Sequence, residues 1–138
     1  MSAANAGLPA DAEIVSRGGF NLFAGPFWRL ASDADGMGAR FAFIAEPKHM
    51  NGSGSVHGGL LMTFADVAMS RTARLATGTE SCNTLAFTAD FVGPGKLGDR
   101  IEAAVRVTRR TRTMVFQSAD IVAAGRTLMV ATGLWKIG

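Results

Sequence analysis

Apolar positions along this chain follow two different rhythms, and the change between them outlines a fold. Residues 1–9 are small and mostly polar and are expected to be poorly ordered, while residues 11–23 have the composition of a short helix before the break at Gly25-Pro26. From Phe27 the texture is that of strands. Residues 27–31 and 39–44 flank the turn Asp33-Ala34-Asp35-Gly36 and predict a hairpin. Residues 46–55, with Pro47, Asn51, Gly52 and Gly54, read as a loop. A long apolar run then extends from His57-Gly58-Gly59 to Ala76. Leu60, Leu61, Met62, Phe64, Ala65, Val67, Ala68 and Met69 leave almost no polar face over its first turns, so this helix should be wrapped by other structure. After Gly78, strand character returns in residues 83–92, 100–109, 113–123 and 127–137. Their joints are Gly93-Pro94-Gly95, the corner Arg110-Thr111-Arg112, and Ala124-Gly125-Arg126.

The predicted order is strand, strand, helix and four strands. One buried helix against about six antiparallel strands is an α+β layer architecture, a helix rolled in a sheet. A dinucleotide-binding βαβ fold is excluded because the late strands follow one another through short turns with no crossover helices. The expected division is a tail and short helix over residues 1–26 and a single domain over residues 27–138.

Composition narrows the function. The chain has 138 residues, 48% of them hydrophobic and 18% charged, which suits one compact domain with buried subunit contacts and not a disordered tail. The net charge is only +3, Tyr is absent and the two Trp are scattered, so no nucleic-acid partner is expected. A single cysteine, Cys82, asks for no oxidising compartment. Residues 1–11 have neither a basic nor an apolar leader segment, and no apolar stretch approaches the ~20 residues that cross a bilayer. No membrane partner is expected, and the cytosol is the expected location.

Most of the chemistry is concentrated between Asn51 and Asp66. Paired glycines, Gly58 and Gly59, at a helix start let another molecule approach the backbone, and first-turn N–H groups have no intrahelical partners. Such a terminus stabilises a developing oxyanion, as on a thioester carbonyl under attack. Asp66 is the one charge in the apolar part of the helix, where an ionised carboxylate needs a partner or a use; burial should raise its pKa and suit it to act as a general base, or as a nucleophile. Gly58 and Asp66 are eight positions apart, about 12 Å along one helix, too far to touch the same carbon. Two helices running antiparallel across a two-fold axis would bring Asp66 of one chain to the Gly58 end of the other.

These residues resemble a known family. Asn51, then His57-Gly58-Gly59, then Asp66 seven residues after the second glycine, then the strand closing in Gly93-Pro94-Gly95-Lys96-Leu97-Gly98-Asp99, are similar to the hotdog thioesterases of the phenylacetate-degradation (PaaI-like) type, over about residues 41–138. The resemblance implies a hotdog fold, dimers paired into a homotetramer, and hydrolysis of acyl-CoA esters, with coenzyme A entering as part of the substrate and no other cofactor. By position it implies Asn51 as the residue that positions carbonyl or water, Gly58 N–H as oxyanion donor, Asp66 as base or nucleophile, Thr84 as a hydroxyl that helps hold the water, and His57 as a support of the helix start. Two departures stand out: the loop Asn51-Gly52-Ser53-Gly54-Ser55 is rich in Gly and Ser, which loosens Asn51, and Thr at position 84 adds a methyl group where the family often has Ser. Coenzyme A brings a 3′-phosphate and a diphosphate, for which Arg109, Arg110 and Arg112 at the strand corner are the candidate partners.

Other readings are weaker. Asp33-Ala34-Asp35-Gly36 lacks the further ligands of a calcium loop, and His49, His57 and Cys82 lack zinc spacing, so no metal is expected. A hotdog hydratase would need a His about five residues after the Asp; position 71 is Arg, and no His follows Asp66. The remaining rival is a non-catalytic acyl-CoA-binding hotdog module.

Overall fold

The computed structural model describes residues 2–138, and Met1 lies outside them. Seven strands form one antiparallel sheet: β1 (Glu13–Ile14), β2 (Trp28–Ser32), β3 (Gly38–Ile44), β4 (Cys82–Phe91), β5 (Arg100–Arg110), β6 (Met114–Ala123) and β7 (Arg126–Ile137). Their order across the sheet is β1-β2-β3-β5-β6-β7-β4. A short helix, α1 (Gly19–Ala24), precedes β2, and the long helix α2 (Gly58–Thr77) lies in the concave face of the sheet.

Alternation builds the concave face. Ile101, Ala103, Val105 and Val107 on β5, and Val115, Gln117, Ala119, Ile121 and Ala123 on β6, point inward with more exposed neighbours between them. Ile101, Ala103, Val105, Ala119, Ile121 and Ala123 meet Leu61, Phe64, Ala65, Ala68 and Met69 of α2, Val107 and Val115 pack with Ala73 nearer its C-terminal end, and Gln117 donates to Met69 O. The centre is aromatic: Phe64 lies 4.7 Å from Phe43 and 5.1 Å from Phe27, ring centre to ring centre, at tilted and edge-on angles that such rings prefer.

The N-terminal segment differs from its expected form. Instead of a helix over residues 11–23, the chain pairs Glu13 with Arg29 and Ile14 with Trp28, and helix begins only at Gly19, after the left-handed φ of 69° at Gly18. Glu13 is fixed here by Arg29 at 2.9 Å and Arg71 at 2.6 Å, which adds a seventh strand to the expected six. The hydrogen bond from Arg29, against the opposing effect of desolvation, holds the Glu13 carboxyl below its ordinary range, with Arg71 adding to the effect. Residues 1–9 are also more engaged than expected among those described, since Ala3 and Leu8 are buried against Trp28 and Ala42 on the outer face of β2 and β3.

Strand β4 is the exception to the alternation. It pairs with β7 on one side only, most of its ten residues are exposed, and its outer edge is open. The β4–β7 register slips between Thr84 and Ala86, leaving Leu85 as an extra residue. This bulge switches the strand's parity. Phe87 and Ala89 pack on the core from odd positions, whereas Cys82 packs there from an even one, with Thr84 on the same side.

Candidate active site

Helix α2 keeps one face half-open, along which Met62, Thr63, Asp66 and Ser70 succeed one another. The carboxylate of Asp66 is therefore half-buried, not enclosed as the apolar run of the sequence suggested, because the described residues cover this face only in part. Thr84 Oγ1 donates to Asp66 Oδ1 at 2.7 Å. The Leu85 bulge makes that contact possible by turning Thr84 toward the helix. Oδ2 of Asp66 remains for a water or a substrate.

The helix start is held by histidines in two different ways. His57 is the N-cap, and its Nδ1 accepts from Gly59 N–H at 2.8 Å. His49 is buried; Glu46 N–H donates to its Nδ1 at 3.0 Å and its Nε2 lies 2.7 Å from the carbonyl of Ala24. A backbone N–H can only donate and a carbonyl can only accept, so His49 carries its proton on Nε2. His57 N–H in turn donates to His49 O at 2.8 Å, which pins the entry to α2. Leu60 and Leu61 N–H both reach His57 O, and Gly59 is used by His57. Among the described residues, Gly58 N–H alone in this turn is left without a hydrogen-bond partner. A Cβ at Gly58 would lie 3.0 Å from the outer ring atoms of the exposed Phe91, so this amide lies beside an aromatic edge and not under packed backbone.

Asn51 is tied to its own loop. Its Oδ1 accepts from Ser53 N–H at 2.8 Å and from Ser55 N–H at 3.0 Å, and its N–H donates to Ser55 O at 2.7 Å. The glycine- and serine-rich loop is thus a closed turn, tighter than its composition suggested, and the side-chain group left for other contacts is the amide Nδ2. Arg109, Arg110 and Arg112 are exposed at the β5–β6 corner, where Arg110 Nη1 donates to Ala76 O at 3.3 Å. Gly58 and Ala76 are separated by eighteen positions, about 27 Å of helix, so a single chain does not bring the arginines to the oxyanion donor. Arg106 is taken up by Asp33 at 2.8 Å and by Asp35.

Three depressions run along the open face of α2. An apolar cleft of about 360 Å3 between α1 and the start of α2 is lined by Phe20, Phe23, Met50, His57, Gly59 and Leu60. A smaller one holds Met62, Thr63, Asp66, Thr84 and Phe87. The third, about 510 Å3, contains Asp66 and Thr84 together with Arg17, Ser70, Arg71 and Arg74. Thr63 is shared by the first two and Asp66 by the last two, so they form one trough, apolar at the N-terminal end of the helix and basic at the other. Cys82 also lines the basic end; burial pushes its thiol up, Arg74 opposing and Asp66 adding to the shift. Arg17, Ser70, Arg71 and Arg74 are not singled out from sequence, and His49 is weighed there only as a metal ligand, since each acquires its place from tertiary contacts.

A helix rolled in an antiparallel sheet is the hotdog fold, and here it carries a carboxylate on its open face and a free amide at its start. Residues 53–130 match the family described as the Thioesterase superfamily, and the chain belongs to it: it is a thioesterase with a hotdog fold. The matched span includes Gly58, Asp66, Thr84 and the three corner arginines but not Asn51. A candidate esterase of Pseudomonas aeruginosa, PA0474, is 31% identical over 97 residues, covering 70% of this chain and 72% of that protein. Human acyl-coenzyme A thioesterase 13 is 29% identical over 92 residues, covering 64% of this chain and 63% of that one. Among solved structures, the Escherichia coli PaaI protein of the phenylacetic acid degradation operon superposes with a TM-score of 0.74, at 23% identity, over 81% of this chain and 79% of that chain.

Proposed function

We propose that the protein hydrolyses acyl-CoA thioesters to the free acid and CoA at sites shared between two subunits. The observation that carries this reading is the Asp66 carboxylate, anchored by Thr84 on the open face of α2, two turns beyond the partnerless Gly58 N–H. Asp66 Oδ2 takes a proton from water as the oxygen attacks the thioester carbon. The carbonyl oxygen becomes an oxyanion, stabilised by Gly58 N–H of the second chain and by the positive end of its helix. Collapse re-forms the carbonyl, breaks the C–S bond, and returns the proton from Asp66 to the departing thiolate.

The open edge of β4 supports the second chain. A ten-residue edge strand carrying exposed Leu85 and Phe91 is an aggregation hazard unless something covers it. Antiparallel pairing with β4 of another copy would cover it and set the two α2 helices side by side in opposite directions, spanning the ~12 Å that separates Gly58 from Asp66 in one helix. Two such dimers would form the homotetramer that the family resemblance implies. Arg109, Arg110 and Arg112 serve the coenzyme's phosphates, and Asn51 Nδ2 helps to position the carbonyl or water.

A subunit-mixing experiment tests the proposal. Gly58 is the first helical residue, and His57 before it has φ −61° and ψ 129°, so Gly58→Pro removes the N–H at a backbone position that accepts proline, with the exposed Phe91 ring, 3.0 Å from the added Cβ, turning aside to make room. Loss of this donor should reduce kcat ~100-fold or more, and Asp66→Asn should do the same. When the two variants are unfolded together and refolded, about half of the dimers are mixed, each with one site that has both Asp66 and Gly58, so about a quarter of parental activity returns. No recovery would place both groups in one subunit's site. Binding of acyl-CoA by the parent without thiol release would leave the non-catalytic module as the correct reading.

A further inference from the structure

We propose that the basic end of the trough is an anion subsite, formed by Arg17 and Arg74 with Ser70, that reads a negatively charged group of the thioester substrate. The inference rests on the hydrolysis site just described and adds a determinant of substrate class. Beside Asp66 lies a cavity of about 510 Å3 whose lining is dominated by donors: Arg17, Asn21, Ser70, Arg71, Arg74 and Asn83. Its carboxylates are Asp66 itself and Glu80.

The three arginines are not equivalent. Arg71 is neutralised by Glu13 at 2.6 Å. Arg17 and Arg74 have no carboxylate partner among the described residues; each uses only Nε on a backbone carbonyl, Arg17 on Ile14 O at 3.3 Å and Arg74 on Glu80 O at 3.0 Å. Those bonds fix the two side chains and leave their Nη donors for a ligand, the fork that suits a carboxylate or phosphate. Ser70 adds a directed donor. Its Oγ accepts from Trp135 Nε1 at 3.0 Å, so its own proton is left to donate elsewhere.

Position along the helix sets the reach. Ser70 and Arg74 follow Asp66 by one and two turns, about 6 and 12 Å along the axis, so an anion a few bonds from the reacting carbonyl falls within range of both. Arg17 reaches the cavity from the segment between β1 and α1, outside the residues 53–130 of the superfamily match. The bound group is an oxyanion, supplied either by a carboxylate at the far end of the acyl chain or by a phosphate of the thiol carrier.

The test compares the parent with the double variant Arg17→Gln/Arg74→Gln on three thioesters: adipyl-CoA, hexanoyl-CoA and hexanoyl-pantetheine. The first pair differ only by a terminal carboxylate, and the second only by the phosphate-bearing nucleotide. A loss of about 10- to 100-fold in kcat/KM, the worth of charge-assisted hydrogen bonds, is expected where the anion is present. Loss confined to adipyl-CoA assigns the subsite to the acyl carboxylate; loss on both CoA esters but not on hexanoyl-pantetheine assigns it to the carrier phosphate. Equal effects on all three substrates, including no effect, would overturn the subsite. Arg74→Lys, which keeps the charge, should recover part of any loss, and a merely structural role would not follow the substrate's charge. Should the parent release no thiol from any ester, the hydrolysis reading fails, and calorimetric titration of adipyl-CoA and hexanoyl-CoA into parent and variant still decides the subsite.

Discussion

Thr84→Val removes the hydroxyl that orients Asp66 and keeps the side chain's shape. The lost interaction is one hydrogen bond of 2.7 Å to a carboxylate oxygen. Such bonds are worth about 1.5–3 kcal/mol when shielded from water. Asp66 and Thr84 both line the trough that water and substrate enter, so water can partly replace the donor, and the lower end of that range applies. At about 1.4 kcal/mol per factor of ten, kcat should fall roughly 10-fold. Because Thr84 acts through Asp66, KM should stay within about two-fold, and Thr84→Ser should restore most of kcat. Stability should change by no more than about 0.5 kcal/mol, since the site is on an exposed edge strand. Steady-state thiol release from one acyl-CoA ester, followed over the substrate range for parent, Val and Ser variants, reads all of this. An unchanged kcat in the Val variant would show that the Thr84–Asp66 bond does not prepare the base. A rise in KM as large as the fall in kcat would mean that Thr84 touches the substrate directly.

Three further outcomes follow from the fold. Phe64→Ala empties the centre of the Phe27–Phe43–Phe64 cluster, where Phe64 is fully buried, and should cost about 3–5 kcal/mol, seen as a fall of roughly 10–20 °C in Tm by calorimetry. Glu13 has a carboxyl pKa held below its ordinary 4.5, so its contribution is fully present above that value and is lost as the pH falls through the lower folded-state pKa; the Tm difference between parent and Glu13→Gln should be constant above about pH 5 and shrink steadily below pH 4.5, and a difference independent of pH would refute the ion-pair account. Cys82, its thiol pushed up by burial, should react with iodoacetamide more slowly than free cysteine at pH 8, with rates converging only under denaturing conditions.

The parts of this protein that could be read from its sequence are those with a period. The apolar run through α2 and the alternation in β5 and β6 are imposed by burial over ten or more residues, so they stand out whatever the surroundings. Strand β1 has only two residues and no period; it exists because Glu13 meets Arg29 and Arg71 from distant segments. Leu8 shows as an apolar residue in a polar tail, but the outer face of Trp28 and Ala42 that it covers appears only after β2 and β3 have paired. The contact between Thr84 and Asp66 depends on a bulge at Leu85, a shift of one residue in the register with β7 that no local pattern marks. Arg17 and Arg74 join one cavity from positions 57 apart in the chain.

The largest difference concerns Asp66 itself. The sequence around it is that of a helix wrapped on all sides, yet in the single chain the face bearing Met62, Thr63, Asp66 and Ser70 is half-open. Hydrophobic periodicity reports burial in the state under selection, and it does not distinguish cover by the same chain from cover by another. The proposed dimer reconciles the two, because the second copy that closes the open edge of β4 also lies over the open face of α2. Desolvation of Asp66, a free oxyanion donor within reach of it, and cover for an edge strand then arise from a single association. Separation of the subunits should therefore abolish turnover even where each chain keeps its fold.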